Sequence, residues 1–182
     1  MKKTSTITKL FLALFINFFV LNAQQTYTFT NALATGQTGP TQLQINSAYA
    51  TTNLNGAVTV NSVGVQQWTV PVSGGYRIQA FGAQGGGTNY SGLGANMTGD
   101  FTLTAGTVLR ILVGQRGGSG NESHGSGGGG SFVTNITNSL YIAAGGGGGR
   151  GASSSALQPN SHGTISINGQ TPLTGAAPGG TG

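Results

Sequence analysis

Leu140-Tyr141-Ile142-Ala143-Ala144-Gly145-Gly146-Gly147-Gly148-Gly149-Arg150 sets a strand-like apolar segment against five consecutive glycines. The pattern is not isolated. Between Gly82 and Gly151 there are 23 glycines in 70 residues, with pure runs at Gly85–Gly87, Gly127–Gly130 and Gly145–Gly149. Leu109-Arg110-Ile111-Leu112-Val113, Ser131-Phe132-Val133 and Leu140–Ala144 lie around them. Each glycine loses more backbone entropy on ordering than any other residue, roughly 0.5–1 kcal/mol relative to alanine. Over so many positions the cost exceeds the whole net stability of a typical domain, about 5–15 kcal/mol. Either the runs stay disordered, or packed bare backbone recovers the cost in some regular way.

Outside the runs, short alternating segments dominate. Tyr27-Thr28-Phe29-Thr30 and Val58-Thr59-Val60 are two such pieces in residues 24–65. In Trp68-Thr69-Val70-Pro71-Val72 every second residue is apolar, as a half-buried strand requires. Ser73-Gly74-Gly75 reads as a tight turn into Tyr76–Phe81, and Ala105-Gly106 as a hairpin turn between Asp100–Thr104 and Thr107–Val113. Further short strands are expected near Phe132, Ile142 and Ile165–Ile167. No window carries a convincing period of 3.6, so the expected class is all-β.

The ordered alternative for the runs has a definite geometry. Glycine adopts the three-residue-per-turn extended helix of collagen and polyproline, which has no internal hydrogen bonds. Without side chains, such helices approach closely enough to exchange N–H···O and Cα–H···O contacts. Collagen itself is excluded, because glycine does not recur strictly at every third position. A flexible linker is the competing reading, although a plain linker would be monotonously Gly/Ser and would not hold strand segments between its runs.

Composition narrows the function classes. Lys2, Lys3 and Lys9 precede Leu10–Leu21, an apolar stretch broken only by Asn17, and then Ala23. This is the pattern of a secretory signal peptide, residues 1–23, too short to span a bilayer as a stable helix. Residues 24–182 then form one glycine-rich domain, exported, with no membrane span in the mature chain. Beyond the signal, Arg77, Arg110, Arg116 and Arg150 stand against Asp100 and Glu122, four basic groups against two acids, a net of +2. Four scattered arginines do not make the basic face that nucleic acid requires. There is no cysteine, and hence no disulfide framework.

The chemistry-bearing patterns fail one by one. Gly125-Ser126-Gly127-Gly128-Gly129-Gly130 satisfies GxGxxG, as any glycine tract does, with no strand–helix unit around it. No lysine follows Lys9, so a phosphate site lacks its cation, and one aspartate with one glutamate cannot form a glycosidase pair or a carboxylate metal cage. His124 and His162 sit in Gly/Ser-rich loops, and a Ser/His124/Asp100 triad has nothing in its favour beyond residue types. Asn89-Tyr90-Ser91, Asn96-Met97-Thr98, Asn121-Glu122-Ser123 and Asn135-Ile136-Thr137 fit the glycosylation sequon, a weak signal in a chain rich in Asn, Ser and Thr. No enzyme is expected, and no catalytic, cofactor-binding or metal residue is nominated.

The order of segments is more specific than any of these. Phe29-Thr30-Asn31, Gly39–Gln44, Ala48-Tyr49, Asn53-Leu54, Gln67–Pro71, Tyr76-Arg77-Ile78, Phe81–Gly86, Leu109–Gln115, Gly127–Val133 and Tyr141–Arg150 follow one another. Over roughly residues 27–151 this series resembles the extracellular glycine-rich region of the anaplastic lymphoma kinase and leukocyte tyrosine kinase receptors, and secreted bacterial proteins carrying the same domain. The resemblance implies a jelly-roll-like β-sandwich, similar to tumour necrosis factor, with polyglycine II helices inserted between its strands. It also implies recognition of a protein ligand, and a chain truncated before its closing strands. The chain lacks that family's cysteines, transmembrane helix and kinase domain, so a kinase label does not carry over. The expectation is a secreted or cell-surface binding or adhesion module, bacterial in origin, whose partner is a protein or glycan. A structural spacer or a receptor-ectodomain fragment is the alternative.

Overall fold

The computed structural model describes residues 24–62, 64–87, 90–120, 124–151 and 161–165. The expected signal peptide and Ser166-Ile167 lie outside these residues. Among the described residues there are one α-helix, α1 (Gln42–Ala48), and seven strands: β1 (Val58–Ser62), β2 (Val65–Thr69), β3 (Gly74–Phe81), β4 (Asn96–Leu103), β5 (Val108–Leu112), β6 (Ser131–Asn135) and β7 (Leu140–Ala144). All pairings are antiparallel, in a five-stranded sheet ordered β1-β2-β5-β6-β7 and a two-stranded sheet β3-β4. The class is all-β with little helix.

Alternation decides which face is inward. Gln66 and Trp68 on β2, Leu109 and Ile111 on β5, and Val133 on β6 are buried, while their immediate neighbours point outward. Trp68, Leu109, Ile111 and Val133 join Tyr76, Ile78, Ala80, Met97, Phe101 and Leu103 of the two-stranded sheet in one hydrophobic cluster. Trp68 sits among Tyr27, Phe29 and Tyr76, with ring centroids 4.7–6.4 Å away. Such tilted and edge-on contacts add to area burial. Gln66 is buried without cost because its partners are fixed: Tyr49 Oη donates to Oε1 at 2.7 Å, and Nε2 donates to Thr30 O at 2.7 Å.

Four local expectations change. Tyr27–Thr30 is not a strand; its rings cover Trp68 and its backbone pairs with Tyr49, Thr30 N donating to Tyr49 Oη at 2.9 Å. Residues 42–48 form a helix, closed by a capping box in which Thr41 and Gln44 exchange bonds. The two expected hairpins are inter-sheet corners, since β2 pairs with β5 and β3 with β4. Gly74 and Gly75 already belong to β3, and Ser73 Oγ accepts from Ala105 N at 2.8 Å to tie the two corners together. Ile165 is an exposed bend rather than a strand residue.

At one common end of the sheets, the strands run on into glycine segments. β3 continues into 82–87, β5 into 114–118 and β7 into 145–150; 92–95 leads into β4, and 125–130 into β6. Ser131 fastens this junction. Its hydroxyl donates to Phe81 O at 2.6 Å and accepts from Gly114 N at 2.9 Å, which links the two sheets and the segments at one buried atom.

Candidate functional site

The glycine segments are laterally bonded, and the bonds recur every third residue. Gly82 and Gly85 donate to Ala95 and Gly92, while Ala83 and Gly86 donate to Gly129 and Ser126. Gly147 and Arg150 donate to Ala83 and Gly86; Gly92 and Ala95 to Gly148 and Gly145; Gly125 and Gly128 to Arg150 and Gly147; Ser126 and Gly129 to Gly118 and Gln115. In each pair of segments, donors and acceptors are both three residues apart, at 2.7–3.0 Å. Successive residues therefore face different neighbours.

Steric room follows the same spacing. A Cβ on Gly82 or Gly85 would strike the carbonyls of Gly145 or Gly148, and one on Gly125 or Gly128 those of Gly86 or Ala83. A Cβ on Gly114 or Gly117 would strike Gly129 or Ser126, and one on Gly146 or Gly149 those of Gly128 or Gly125. The Cβ of any residue at Gly147 would meet Gly92 O and Leu93 C closer than 3.0 Å, whereas Gly145 has open space around it. These glycines have no positive φ. At all of them but Gly145, another backbone passes where a side chain would be.

The residues of the chemical motifs do not converge. The GxGxxG tract, Gly125–Gly130, is committed to its neighbours in the segment bundle. Both carboxylate oxygens of Asp100 accept from Arg77 at 2.8 Å on the exposed face of the two-stranded sheet. This hydrogen bond holds the Asp100 carboxyl below the ordinary carboxylate range and raises the Arg77 guanidinium. His124 O accepts from Gly120 N, and His162 Nδ1 accepts from Leu93 N. The Asn135 carboxamide oxygen accepts from Thr137 and Ser139 inside the β6–β7 turn. Asn89 and Asn121–Ser123 lie outside the described residues. Among the described residues no three His, Asp or Glu side chains form a metal-holding group, and no helix is long and apolar enough to cross a membrane.

Among the described residues, a shallow depression lies on the outer face of the five-stranded sheet. It encloses about 220 Å³ and is lined by Asn61, Val65, Gln67, Arg110, Leu112, Phe132, Thr134 and Asn138. Register explains the grouping. Arg110 stands opposite Gln67 on one side and Thr134 on the other, and Leu112 opposite Phe132. Register shifts at Val60/Ser62 and Val133/Thr134 flank it, as bulges that bend and twist strands do. Arg110 Nη1 donates to Asn138 Oδ1 at 2.9 Å, and Asn61 Nδ2 to Gln67 Oε1 at 2.6 Å. Asn138 takes the left-handed conformation (φ 64°), which the tight β6–β7 turn demands. None of these residues carries a sequence signal, because only cross-strand pairing brings them together.

No protein-family profile matches the chain. The mouse leukocyte tyrosine kinase receptor is 37% identical over 105 residues, an alignment that spans 53% of this chain and 12% of the receptor. The resemblance read from the order of segments therefore has a partial counterpart in alignment. A match confined to 12% of the receptor carries no kinase activity to this chain.

Proposed function

We propose that this chain is an exported binding module of the cell surface or the extracellular medium, without catalytic activity. Its β-sandwich, arranged like a jelly roll of the tumour necrosis factor type, is the base. The glycine segments are polyglycine II helices that hold the strand ends rigidly. The observation that supports this most directly is the three-residue recurrence of hydrogen bonds and steric contacts, the repeat of a threefold extended helix. Residues 1–23 act as a signal peptide and residues 24–182 as the domain. The lysine-led leader and the cysteine-free body fit a bacterial protein. The partner is a protein or glycan outside the cell, consistent with the partial match to a receptor.

The module reading is tested with fluorescently labelled chain on intact cells of the source organism and of its surroundings. Saturable binding displaced by unlabelled chain is the expected result. Signal that rises linearly without displacement would leave the spacer role as the better account.

A further inference from the structure

We infer that the depression around Arg110 is a binding site for a saccharide carrying a carboxylate, such as a uronic acid residue. This rests on the binding-module reading and gives it a location and a ligand class.

The floor determines how a ligand must be held. It is made by β1, β2, β5 and β6, which are paired with one another through their backbones. β1 is the edge strand of the sheet, but its Val60 N and Val58 O are already bonded by the Gln42 side chain, which leaves little backbone for β-augmentation and gives recognition to side chains. Those side chains are of three kinds. Arg110 supplies a planar fork of charged donors. Asn61, Gln67, Asn138 and Thr134 supply both donors and acceptors. Phe132 supplies a ring that is 38% exposed at one wall. A sugar ring has the complementary surface, with hydroxyls around its edge and an apolar face of C–H groups.

Charge selects the acidic member of that class. Arg110 is the single charged residue among those lining the depression. Its hydrogen-bond acceptor, Asn138 Oδ1, is neutral and engages one nitrogen, Nη1. Asp100 is taken by Arg77 on the other sheet. Arg110 is a partly buried strand residue whose guanidinium is oriented by its solvent-exposed bond to Asn138, which lowers the cost of ordering it against a carboxylate. An exposed arginine on a flexible loop would have no such preorganisation.

The test follows backbone amide shifts of the purified full chain by NMR during titration with galacturonate, galactose and acetate. Expected are saturable shifts confined to Gln67, Arg110, Phe132, Thr134 and Asn138 with galacturonate, and affinity at least about tenfold weaker for galactose and for acetate, since a charge-assisted bond and the sugar contacts are each worth about a factor of ten or more. Arg110→Gln should weaken galacturonate about tenfold while leaving the rest of the spectrum in place. Phe132→Leu, which keeps an apolar wall without the ring, should weaken it several-fold. Tetragalacturonate binding more tightly than the monomer identifies a polysaccharide source, and equal affinity the free sugar acid. Shifts elsewhere, no saturation, or acetate equal to galacturonate would overturn the site. Cell binding retained in full by Arg110→Gln would overturn the site but leave the module reading standing. Galacturonate binding without cell binding would do the reverse.

Discussion

The sandwich and the glycine segments are stabilised by opposite means. In the sandwich, side chains are the cement: Trp68, Val70, Leu109 and Ile111 are removed from water, and the backbone ladders bring them into register. In the segments there is almost nothing to remove from water. Order comes from backbone groups that bond across five neighbouring stretches, at distances a single methyl group would block. A hydrophobic core accepts many residues of similar size and shape. The glycine region accepts one residue type at a given position and, a residue away, tolerates others freely. Specificity here resides in the absence of atoms.

The largest expected effect breaks that contrast open. Gly147→Val should cost about 3 kcal/mol or more, because the obstruction is neighbouring backbone that cannot rotate aside. That is comparable to Trp68→Ala in the sandwich core, at about 3–5 kcal/mol. Thermal unfolding should place both variants about 6–20 °C below the parent chain. A Gly147→Val chain that melts with the parent would show the segments to be a linker. Next in size is Ser131→Ala, which leaves Gly114 N and Phe81 O without their shared hydroxyl at a buried junction. An expected loss of about 1–3 kcal/mol, read from denaturant midpoints, would show that the two regions unfold as one unit.

Smaller effects sharpen the comparison. Gly145→Ala meets open space and has no positive φ. It should raise stability by about 0.4–1 kcal/mol through the unfolded state, two residues from a position where the same change is forbidden. The smallest effect belongs to the Arg77–Asp100 pair, whose side chains are 67% and 66% exposed. Since Asp100 is held below its ordinary carboxyl value, the pair's contribution is complete above the unfolded value of about 3.9 and disappears as pH falls through the lower folded one. Denaturant midpoints of the parent chain and Asp100→Asn should therefore differ slightly at neutral pH, converge in strong acid, and converge also in high salt.

Strand positions were legible at β3 and β5, since a half-buried strand needs a period of two. The alternation of Trp68–Val72 overlaps the observed β2 (Val65–Thr69) only at Trp68 and Thr69, and that of Tyr27–Thr30 belongs to no strand. Helix α1 was not legible, because it is two turns long and buries only Ile45 while Leu43 stays exposed, so no apolar stripe forms. The signal that could have found it is the Thr41-x-x-Gln44 box after Pro40. The corners at Ser73 and Ala105 were misread as hairpins because turn chemistry describes how a chain reverses, and says nothing of which sheet receives the next strand. The Arg110 depression was invisible for a similar reason. Its residues are separated by up to 77 positions in sequence, from Asn61 to Asn138, and become neighbours only through register.

The three-residue recurrence sets a rule for how this region can change length. Deleting one residue from Gly145–Gly149 would shift every later donor one step out of the three-residue recurrence, away from the acceptor it now serves and toward a different segment. Losing or gaining three would restore each group to its former side. Insertions and deletions in the glycine runs should therefore be tolerated in triplets, much as a reading frame tolerates them, so the region's natural unit of variation is the three-residue repeat of its bonds and not one amino acid.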